Sequence, residues 1–358
     1  MMTDSVRSLL EAAIRAPSGE NVQPWQFVVR ENNGVSIIDV RVTKEREQSL
    51  YGWGERASLV AVGAALENIR IAATREGFLA QIDTLPIAGD PHLAARVHLS
   101  PGASAKDPLY DAIFRRSTNR KAYAKTLLTD SEITALKNEA LKIGGEVRFA
   151  TSEDEKKKLA FVGSCNERIM LGNPVLHQFF FSHVNWSKAD DDRKKTGFFI
   201  DTLELAPPAK VGFKVMSVWS RARFLNKFLK FNKVAAGQNA VTYASCAAFG
   251  AIVSDSESPK DAIEAGRTMQ RVWLEATHLG LSMQPMVGVV YLALATHAGE
   301  TSQFSPDDIK LIGECDEIVR STFSLGAQRT YFMFRIGRAS APSARAVRFS
   351  VEEVTTYA

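Results

Sequence analysis

The chain has 358 residues, of which 45% are hydrophobic and 23% are charged, and its formal net charge is +4. This length and balance are typical of a globular protein with a large core, arranged as two closely associated lobes. So small a positive surplus gives no support for a nucleic-acid-binding protein, which would need a concentrated basic face.

In chain order, helix and strand patterns alternate through the first part of the sequence. The predicted elements are a helix over 6–16, strands over 25–30 and 35–42, a helix over 59–77 and a strand over 94–100. The first helix ends at Pro17, which cannot extend it. Small residues near the start of the second helix, including Gly63, would let another helix pack closely.

The pattern restarts after a polar stretch at 101–108. The predicted elements are helices over 109–116 and 130–142, a strand over 146–150, a helix over 153–172, a strand over 247–254, a helix over 259–280, a strand over 287–295, a helix over 305–311 and a strand over 331–336. Residues 173–240 are expected to be less regular. The similar helix ends Ala73–Phe78 and Ala276–Leu281 suggest a loose internal duplication, and the alternation predicts an α/β or α+β protein with a mixed sheet.

The cysteines, the histidines and the N-terminus give no sign of a metal site or of export. Cys165, Cys246 and Cys315 are far apart and odd in number, so we expect buried, reduced thiols. The six histidines show no triad or metal-ligand spacing. The N-terminus has an acid where a signal peptide is basic, and apolar runs such as 288–295 are shorter than a membrane span. These features predict a cytosolic protein.

Polar side chains fill the loop at 16–27, between the first helix and the first strand. Ser18, Asn21 and Gln23 offer a hydroxyl and two amides that could address a flat polar heterocycle, while Pro24 and Trp25 anchor the following strand. On composition alone, a helix-capping turn beside a buried tryptophan explains the same residues.

Cations and hydroxyls are concentrated in the segment 114–123, at the end of a helix. Guanidinium groups form paired, charge-assisted hydrogen bonds with phosphate, and neighbouring hydroxyls add further ones. The residues concerned are Arg115, Arg116, Ser117, Thr118, Arg120 and Lys121. Taken alone, a solvated basic helix terminus accounts for this segment equally well.

A third segment, 277–288, closes a helix at Gly280 and passes through an apolar turn into a predicted strand. Exposed backbone N–H groups in this turn could donate hydrogen bonds to a bound ring. A helix C-cap followed by a core strand is the alternative interpretation.

Together and in this order, the three segments resemble the signature stretches of the nitroreductase superfamily, and in particular its double-length, Acg-like branch. The stretches 63–70 and 265–277 resemble that branch as well, and the resemblance covers roughly 5–350. It implies an α+β, nitroreductase-like fold with a mixed sheet flanked by helices. It also implies an intramolecular pseudo-dimer of two related lobes, 1–108 and 109–358, the second with a lid-like insertion at about 175–240.

The resemblance further implies non-covalent FMN at the seam between the lobes. The FMN-binding residues carried over are Arg116, Thr118 and Arg120, with Arg115 or Ser117 as substitutes, at the phosphate and ribityl chain; Ser18, Asn21 and Gln23 across the seam; Pro285, Met286, Val287 and Gly288 along the isoalloxazine; and Arg345 and Arg348 near the phosphate. Two spacings fit the family's arginine-x-serine pattern, Arg115-x-Ser117 and Arg116-x-Thr118. Many family members have a glutamate in place of Val287, but that contact is made by the backbone.

The activity implied by the resemblance is transfer of electrons from NAD(P)H through FMN to a small organic acceptor, such as a nitro compound or a quinone. One FMN per chain, no catalytic side chain, no metal, and a monomer or homodimer are expected. A flavin-sequestering protein with a lid-covered FMN and little turnover is the alternative, and a membrane-associated binding module is a third class.

The third class depends on a basic, aromatic stretch inside the insertion. Its residues are Arg221, Arg223, Lys227, Lys230 and Lys233, interleaved with Trp219, Phe224, Phe228, Leu229 and Phe231. This stretch could be a lid helix packed over the site or a helix lying on a membrane surface. The lid is the favoured interpretation, because a hydrophobic face beside a pocket needs no second partner.

Overall fold

The structure is a computed structural model, and it describes residues 3–32, 35–43, 45–46 and 55–358. All the predicted site residues lie within these ranges. The first part of the chain forms α1 (Asp4–Ala13), β1 (Trp25–Asn32), β2 (Val35–Val42), α2 (Arg56–Arg75), β3 (Phe78–Thr84) and β4 (Leu93–Pro101).

The rest of the chain contains more helices than strands. Its helices are α3 (Tyr110–Arg115), α4 (Asp130–Leu141), α5 (Glu153–Gly172), α6 (Pro174–Ser182), α7 (Lys188–Lys194), α8 (Pro207–Met216), α9 (Trp219–Leu229), α10 (Phe231–Ala244), α11 (Pro259–His278), α12 (Gly288–His297) and α13 (Pro306–Thr322). Its strands are β5 (Glu146–Ala150), β6 (Val184–Asn185), β7 (Phe198–Phe199), β8 (Ala248–Ser254), β9 (Ser282–Pro285), β10 (Arg329–Gly337) and β11 (Thr355–Tyr357).

Two main sheets organise these elements. The first has the strand order β11-β1-β2-β4-β3, with β11 parallel to β1 and the other neighbours antiparallel. The second has the order β5-β8-β10-β9 and is antiparallel throughout. The α+β class, with a mixed sheet flanked by helices, is therefore confirmed. β10 lies in the second sheet and β11 in the first, so residues 338–354, which we call the C-terminal segment, connect the two sheets. The lobe boundary at 108/109 stays a prediction.

The two long helices α2 and α11 pack against each other through glycines. A Cβ on Gly63 would lie 2.0 Å from the carbonyl oxygen of Ile263, and a Cβ on Gly266 would lie 2.0 Å from that of Val60. The same sequence shift that relates Gly63 to Gly266 also relates Val60 to Ile263. The contact is thus nearly two-fold symmetric, as an intramolecular pseudo-dimer of related lobes requires.

Polar groups next to these glycines follow the same symmetry. The Gln270 amide donates to Asn68 Oδ1 at 2.7 Å, and Arg271 Nη1 donates to Glu67 Oε1 at 2.9 Å. The shift that maps Glu67 onto Gln270 maps Asn68 onto Arg271. Both pairs are buried, so the interface between α2 and α11 combines close backbone contact with buried polar pairs, although Gln270 Oε1 has no hydrogen-bond partner.

Within the described part of the chain, α2 is the one helix whose length and apolar composition would allow it to cross a membrane. However, 83% of that stretch is buried inside the molecule. It is the helix that packs on α11, which accounts for its apolar composition. The three cysteines are buried and unbonded, as predicted.

Two of the sequence-based assignments were wrong. Residues 288–297 form the helix α12 rather than a strand; its apolar side chains are buried on all sides, and such a run has no periodicity to separate the two structures. The region 173–240 was expected to be less regular, yet it contains α6 to α10. In addition, α13 continues to Thr322, well beyond the predicted end at 311.

Candidate functional site

The polar loop after α1 takes a strained backbone path. Asn21 and Gln23 both have left-handed φ values, of 54° and 51°, and both side chains are buried. Such values are uncommon for residues other than glycine, although asparagine tolerates them. The Ser18 hydroxyl stabilises the turn by accepting a hydrogen bond from the Gln23 backbone N–H at 3.0 Å.

The amides of this loop hold distant segments of the chain together. Asn21 Nδ2 donates to the carbonyl oxygens of Lys195 and Val347, both at 3.0 Å. Gln23 Nε2 donates to Lys195 O at 2.7 Å, and Gln23 Oε1 accepts from the Phe349 N–H at 2.9 Å. The loop therefore binds the insertion and the C-terminal segment, and its proximity to a flavin stays a prediction.

Arg116, Arg345 and Arg348 come together around this loop. Arg116 is 7% exposed, stacks 4.5 Å from the ring centroid of Trp273, and donates from Nη2 to Arg15 O at 2.7 Å. Arg345 donates to the carbonyl oxygens of Phe114, Arg115 and Arg116, the first at 3.0 Å. Arg348 donates to Asn21 Oδ1 and to Ala16 O. We call Arg116, Arg345 and Arg348 the arginine cluster.

Among the described residues, the arginine cluster has no directly paired counter-charge, although the charge of Asp191 acts on Arg348. No carboxylate of the described residues forms an ion pair with any of its three members. Burial and the charges of Arg348 and Arg345 hold the pKa of Arg116 well below its usual range. Burial and the charges of Arg15 and Arg345 lower the pKa of Arg348 to about 10. The Nε atoms of Arg116 and Arg348 are buried without a hydrogen-bond partner, so the cluster has the donors and the charge that a bound anion would satisfy.

The next residues connect the arginine cluster to the third predicted segment. Thr118 forms a parallel bridge with Met283 in β9, and the buried Asn119 donates from its backbone to Met283 O at 3.1 Å. The Asn119 side chain donates to Ser282 Oγ at 3.0 Å and to Ser340 O at 2.8 Å. Arg115 is exposed and Arg116 is buried, whereas Ser117 and Thr118 are half-buried.

Pro285 to Gly288 lead from β9 into α12. Pro285 pairs with Phe334, and the Met286 N–H donates to Met333 O at 2.7 Å, so both residues belong to the second sheet. Val287 occupies the N-cap position of α12 and provides no side-chain cap. The first backbone N–H groups of a helix have no partner within the helix, so at Val287 and Gly288 they can donate to a bound group. The helix corrects the predicted strand and adds these donors.

Arg120 points away from the arginine cluster and toward the insertion. Its Nη1 donates to Thr202 O at 3.0 Å, and its guanidinium lies 5.5 Å from the ring centroid of Phe198. Nearby, Gly197 N–H donates to Glu20 O at 2.8 Å, and Glu204 accepts hydrogen bonds from Ser343 N and Oγ. The segment 195–204 thus contacts the polar loop, Arg120 and the C-terminal segment, and its role as a lid stays a prediction.

A buried acid that the sequence did not single out lies near α12. Tyr243 donates from its hydroxyl to Glu167 Oε1 at 2.9 Å, and Glu167 Oε2 has no partner. Burial raises the pKa of Glu167 to about 7, against the lowering effect of that hydrogen bond. The adjacent Asn166 side chain lies against Gly288. Only the packing of α5 against α10 and α12 brings these groups together, so no local pattern could have revealed them.

Arg15 and Asn119 were also missed, although each lies beside a predicted motif. Arg15 immediately precedes the polar loop, and its charge acts on both Arg345 and Arg348. A count of cations flanking the loop would have found it. Within the described ranges, no group of three His, Cys, Asp or Glu side chains is placed to hold a metal ion.

Comparison with known proteins identifies relatives by sequence. No protein-family model matches the chain. The chain is 27% identical over 353 residues to the uncharacterized protein MT1398 of Mycobacterium tuberculosis, an alignment that covers 96% of this chain and 47% of that protein. It is 26% identical over 186 residues to the putative NAD(P)H nitroreductase acg of the same species, which covers 50% of this chain and 54% of the relative. The chain is therefore similar in sequence to proteins that include a putative NAD(P)H nitroreductase.

The chain spans about half the length of these two curated relatives. Among solved structures, the FMN-dependent nitroreductase NfnB from Mycobacterium smegmatis in complex with NADPH aligns with a TM-score of 0.39 at 11% identity. That alignment covers 70% of this chain and 98% of NfnB. A likeness as low as this does not by itself establish a shared fold.

Proposed function

We propose that this chain is an FMN-dependent oxidoreductase that passes electrons from NAD(P)H to a small organic acceptor, such as a nitro compound or a quinone. The observation that carries the proposal is the arginine cluster, which holds buried, unpartnered Nε atoms and no carboxylate. A relative named as a putative NAD(P)H nitroreductase adds support from sequence.

The residues present fit the phosphate of FMN. Arg116 and Arg348 would direct their unsatisfied Nε–H groups at it, and Arg345 would add charge from the exposed side. Thr118 follows on the same segment and offers a hydroxyl. Burial, with the repulsion between the guanidinium groups added to it, lowers the pKa of Arg116 and Arg348. A dianion bound here would offset both effects.

Other groups of the chain would orient the ring and control its surroundings. When bound, FMN supplies the redox chemistry between NAD(P)H and the acceptor. The backbone N–H groups at Val287 and Gly288 would donate to the ring edge from the N-terminus of α12, where the helix dipole favours negative charge. Arg120, held by Thr202 O, would provide a cation at the lid. Glu167, with a pKa raised to about 7 by burial, can hold or release a proton near neutral pH.

A second function, storage of FMN with little turnover, is favoured by the attachment of the lid. The carbonyl oxygen of Lys195 accepts from both Asn21 and Gln23, and the Lys195 ammonium pairs with Glu353 at 2.7 Å. Together with the Glu204–Ser343 contacts, these bonds fix the segment 195–204 at both of its ends. A lid that does not open would exclude the acceptor.

Two measurements test these proposals. The purified protein should show flavin absorbance bands, or acquire them on titration with FMN, and denaturation should release FMN. Anaerobic mixing with NADPH or NADH should then bleach the flavin band, and a nitroaromatic compound or a quinone should restore it repeatedly. Bound FMN that neither nucleotide reduces would support storage instead. A protein that binds no FMN in this titration would rule out both functions.

A further inference from the structure

The stretch 205–254 contains no acidic residue. It carries seven cations, namely Lys210, Lys214, Arg221, Arg223, Lys227, Lys230 and Lys233. The remaining residues carry 37 Lys and Arg against 40 Asp and Glu, so they have a net negative charge. The positive surplus of the whole chain is therefore located entirely in α8, α9 and the start of α10.

The cations of this stretch share a surface with exposed apolar side chains. On α9, Ala222 is buried against the body of the protein, whereas Phe224, Phe228 and Leu229 are 60%, 61% and 62% exposed. Exposed apolar residues continue along α8 and into the α8–α9 turn, at Val211, Val215 and Val218. We call the exposed residues of α8, α9 and the start of α10 the basic apolar surface.

Most of these cations have no partner in the molecule. Lys210 pairs with Asp201 at 2.5 Å, but the other six are exposed and form no ion pair with any carboxylate of the described residues. The Lys227 ammonium lies 5.4 Å from the ring centroid of Phe228, and the rings of Phe224 and Phe228 are 4.8 Å apart. Charge and apolar area thus alternate on one surface, and none of the residues that the structure describes covers it.

The lid function does not require this surface. The segment 195–204 makes the contacts with the polar loop, Arg120 and the C-terminal segment, and α9 turns only its Trp219, Ala222 and Leu225 side inward. A second copy packed on the same patch about a two-fold axis would bring six unpaired cations against six others, which repel at short range. A nucleic acid would match the charge but not the exposed phenylalanine and leucine side chains.

We propose that the basic apolar surface docks on an anionic phospholipid bilayer. Lysine and arginine side chains attract anionic headgroups, and aromatic and leucine side chains between them enter the interface. Long basic side chains can keep their charge at the headgroups while their stems lie against apolar atoms. Basic side chains and exposed aromatic and leucine side chains are both present on α9. An anionic bilayer is the partner that can bind both at once.

Sedimentation with vesicles tests this proposal on the full chain. We expect at least about ten-fold more protein to pellet with phosphatidylglycerol-containing vesicles than with pure phosphatidylcholine, and high salt to reduce the difference. The double variants Phe224→Ser/Phe228→Ser and Lys227→Glu/Lys230→Glu should each lose this binding. The control Lys137→Glu/Leu141→Ser changes an exposed lysine and a 65% exposed leucine on α4, and it should bind as the wild type does.

Circular dichroism establishes whether each variant is folded, independently of lipid binding and of the proposed function. Equal binding to neutral and anionic vesicles would overturn the proposal, as would unchanged binding of both α9 variants. A wild-type dimer in light scattering that dissociates on Phe224→Ser/Phe228→Ser would assign the surface to a second copy. Binding to an oligonucleotide that displaces the vesicles and does not need the phenylalanines would assign it to nucleic acid.

Discussion

Arg116 illustrates how a single buried residue can indicate a ligand. A buried guanidinium usually has a carboxylate partner, because the isolated charge is costly to remove from water. Arg116 has instead the face of Trp273, one carbonyl oxygen and two neighbouring cations. The environment of Arg116 is therefore unfavourable without an anion and favourable with one. Removing the guanidinium should consequently weaken FMN binding but should not destabilise the FMN-free protein.

Replacing Arg116 with methionine should weaken FMN binding by about 1.5–3 kcal/mol, roughly 10- to 150-fold in Kd, since a charge-assisted contact is lost. The free energy of unfolding of the FMN-free variant should be equal to or higher than that of the wild type, because an unpaired buried charge is removed. Fluorescence titration with FMN and urea denaturation measure the two quantities.

The matched variant is Arg115→Met, one position earlier on an exposed side chain. It should change FMN affinity little. The reverse result, with Arg115→Met weakening binding and Arg116→Met leaving it unchanged, would show that Arg115-x-Ser117 is the phosphate-binding pair.

At the scale of elements, the contact between α2 and α11 depends on residues without side chains. Gly63 faces the backbone of Ile263 and Gly266 faces that of Val60, so an added methyl group at either position meets a carbonyl oxygen rather than a movable side chain. The small residues near the start of α2 suggested close helix packing, and the structure confirms it. The partner helix became evident only from the fold.

Replacing Gly63 with alanine should lower the free energy of unfolding by about 1–3 kcal/mol through overpacking, even though alanine favours helix formation. Gly237 provides the control, because it lies inside α10 and a Cβ there would meet no atom within 4 Å. Gly237→Ala should stabilise by about 0.5–1 kcal/mol. Thermal and urea denaturation of both variants give the comparison, and equal effects would argue against the close packing of α2 on α11.

For the whole molecule, Glu67 is the charge that connects the two halves. It is fully buried in α2 and pairs with Arg70 in its own helix and with Arg267 and Arg271 in α11. Arg271 also pairs with Glu139 of α4 at 2.6 Å. Burial acts to raise the pKa of Glu67, but the three guanidinium groups together hold it below its ordinary value.

This depressed pKa determines how global stability depends on pH. The stabilisation is complete above the pKa of an unfolded glutamate, about 4.3, and is lost as pH falls through the lower folded value. At pH 7, Glu67→Gln should cost about 3–5 kcal/mol, because it leaves buried arginines without their partner. The difference in free energy of unfolding between the wild type and Glu67→Gln should be constant from pH 7 to about 5, and it should become smaller below about pH 4.

Urea denaturation across this pH range measures the difference. Glu314→Gln is a suitable control, since Glu314 is exposed and its pairing with Lys310 is at 3.9 Å. Exposed pairs of this kind contribute about 0–1 kcal/mol. A Glu67→Gln variant as stable as wild type at pH 7 would contradict the structural role of the network.

Sequence patterns located the elements whose signals are local. The strand Glu146–Ala150 and the helix Glu153–Gly172 have the predicted bounds, because Ser152 and Glu155 form a capping box at the start of that helix. The same reasoning failed for α12, where burial on every side removes the periodicity that distinguishes a helix from a strand. It also failed for α8, a short helix whose apolar residues are partly exposed, whereas the basic stretch of α9 was expected to be helical.

By itself, the sequence pattern predicted a mixed sheet of the α/β or α+β class, and the family resemblance implied α+β. The order of most elements and the segments that carry arginines and amides followed from residue type and short-range spacing. Only the tertiary structure decided that Arg116 is the buried arginine and Arg115 the exposed one. It also showed that Asn21 binds the insertion and the C-terminal segment, and that Glu167 lies beside Tyr243. These relations join residues up to 326 positions apart, and such contacts arise from packing rather than from any local pattern.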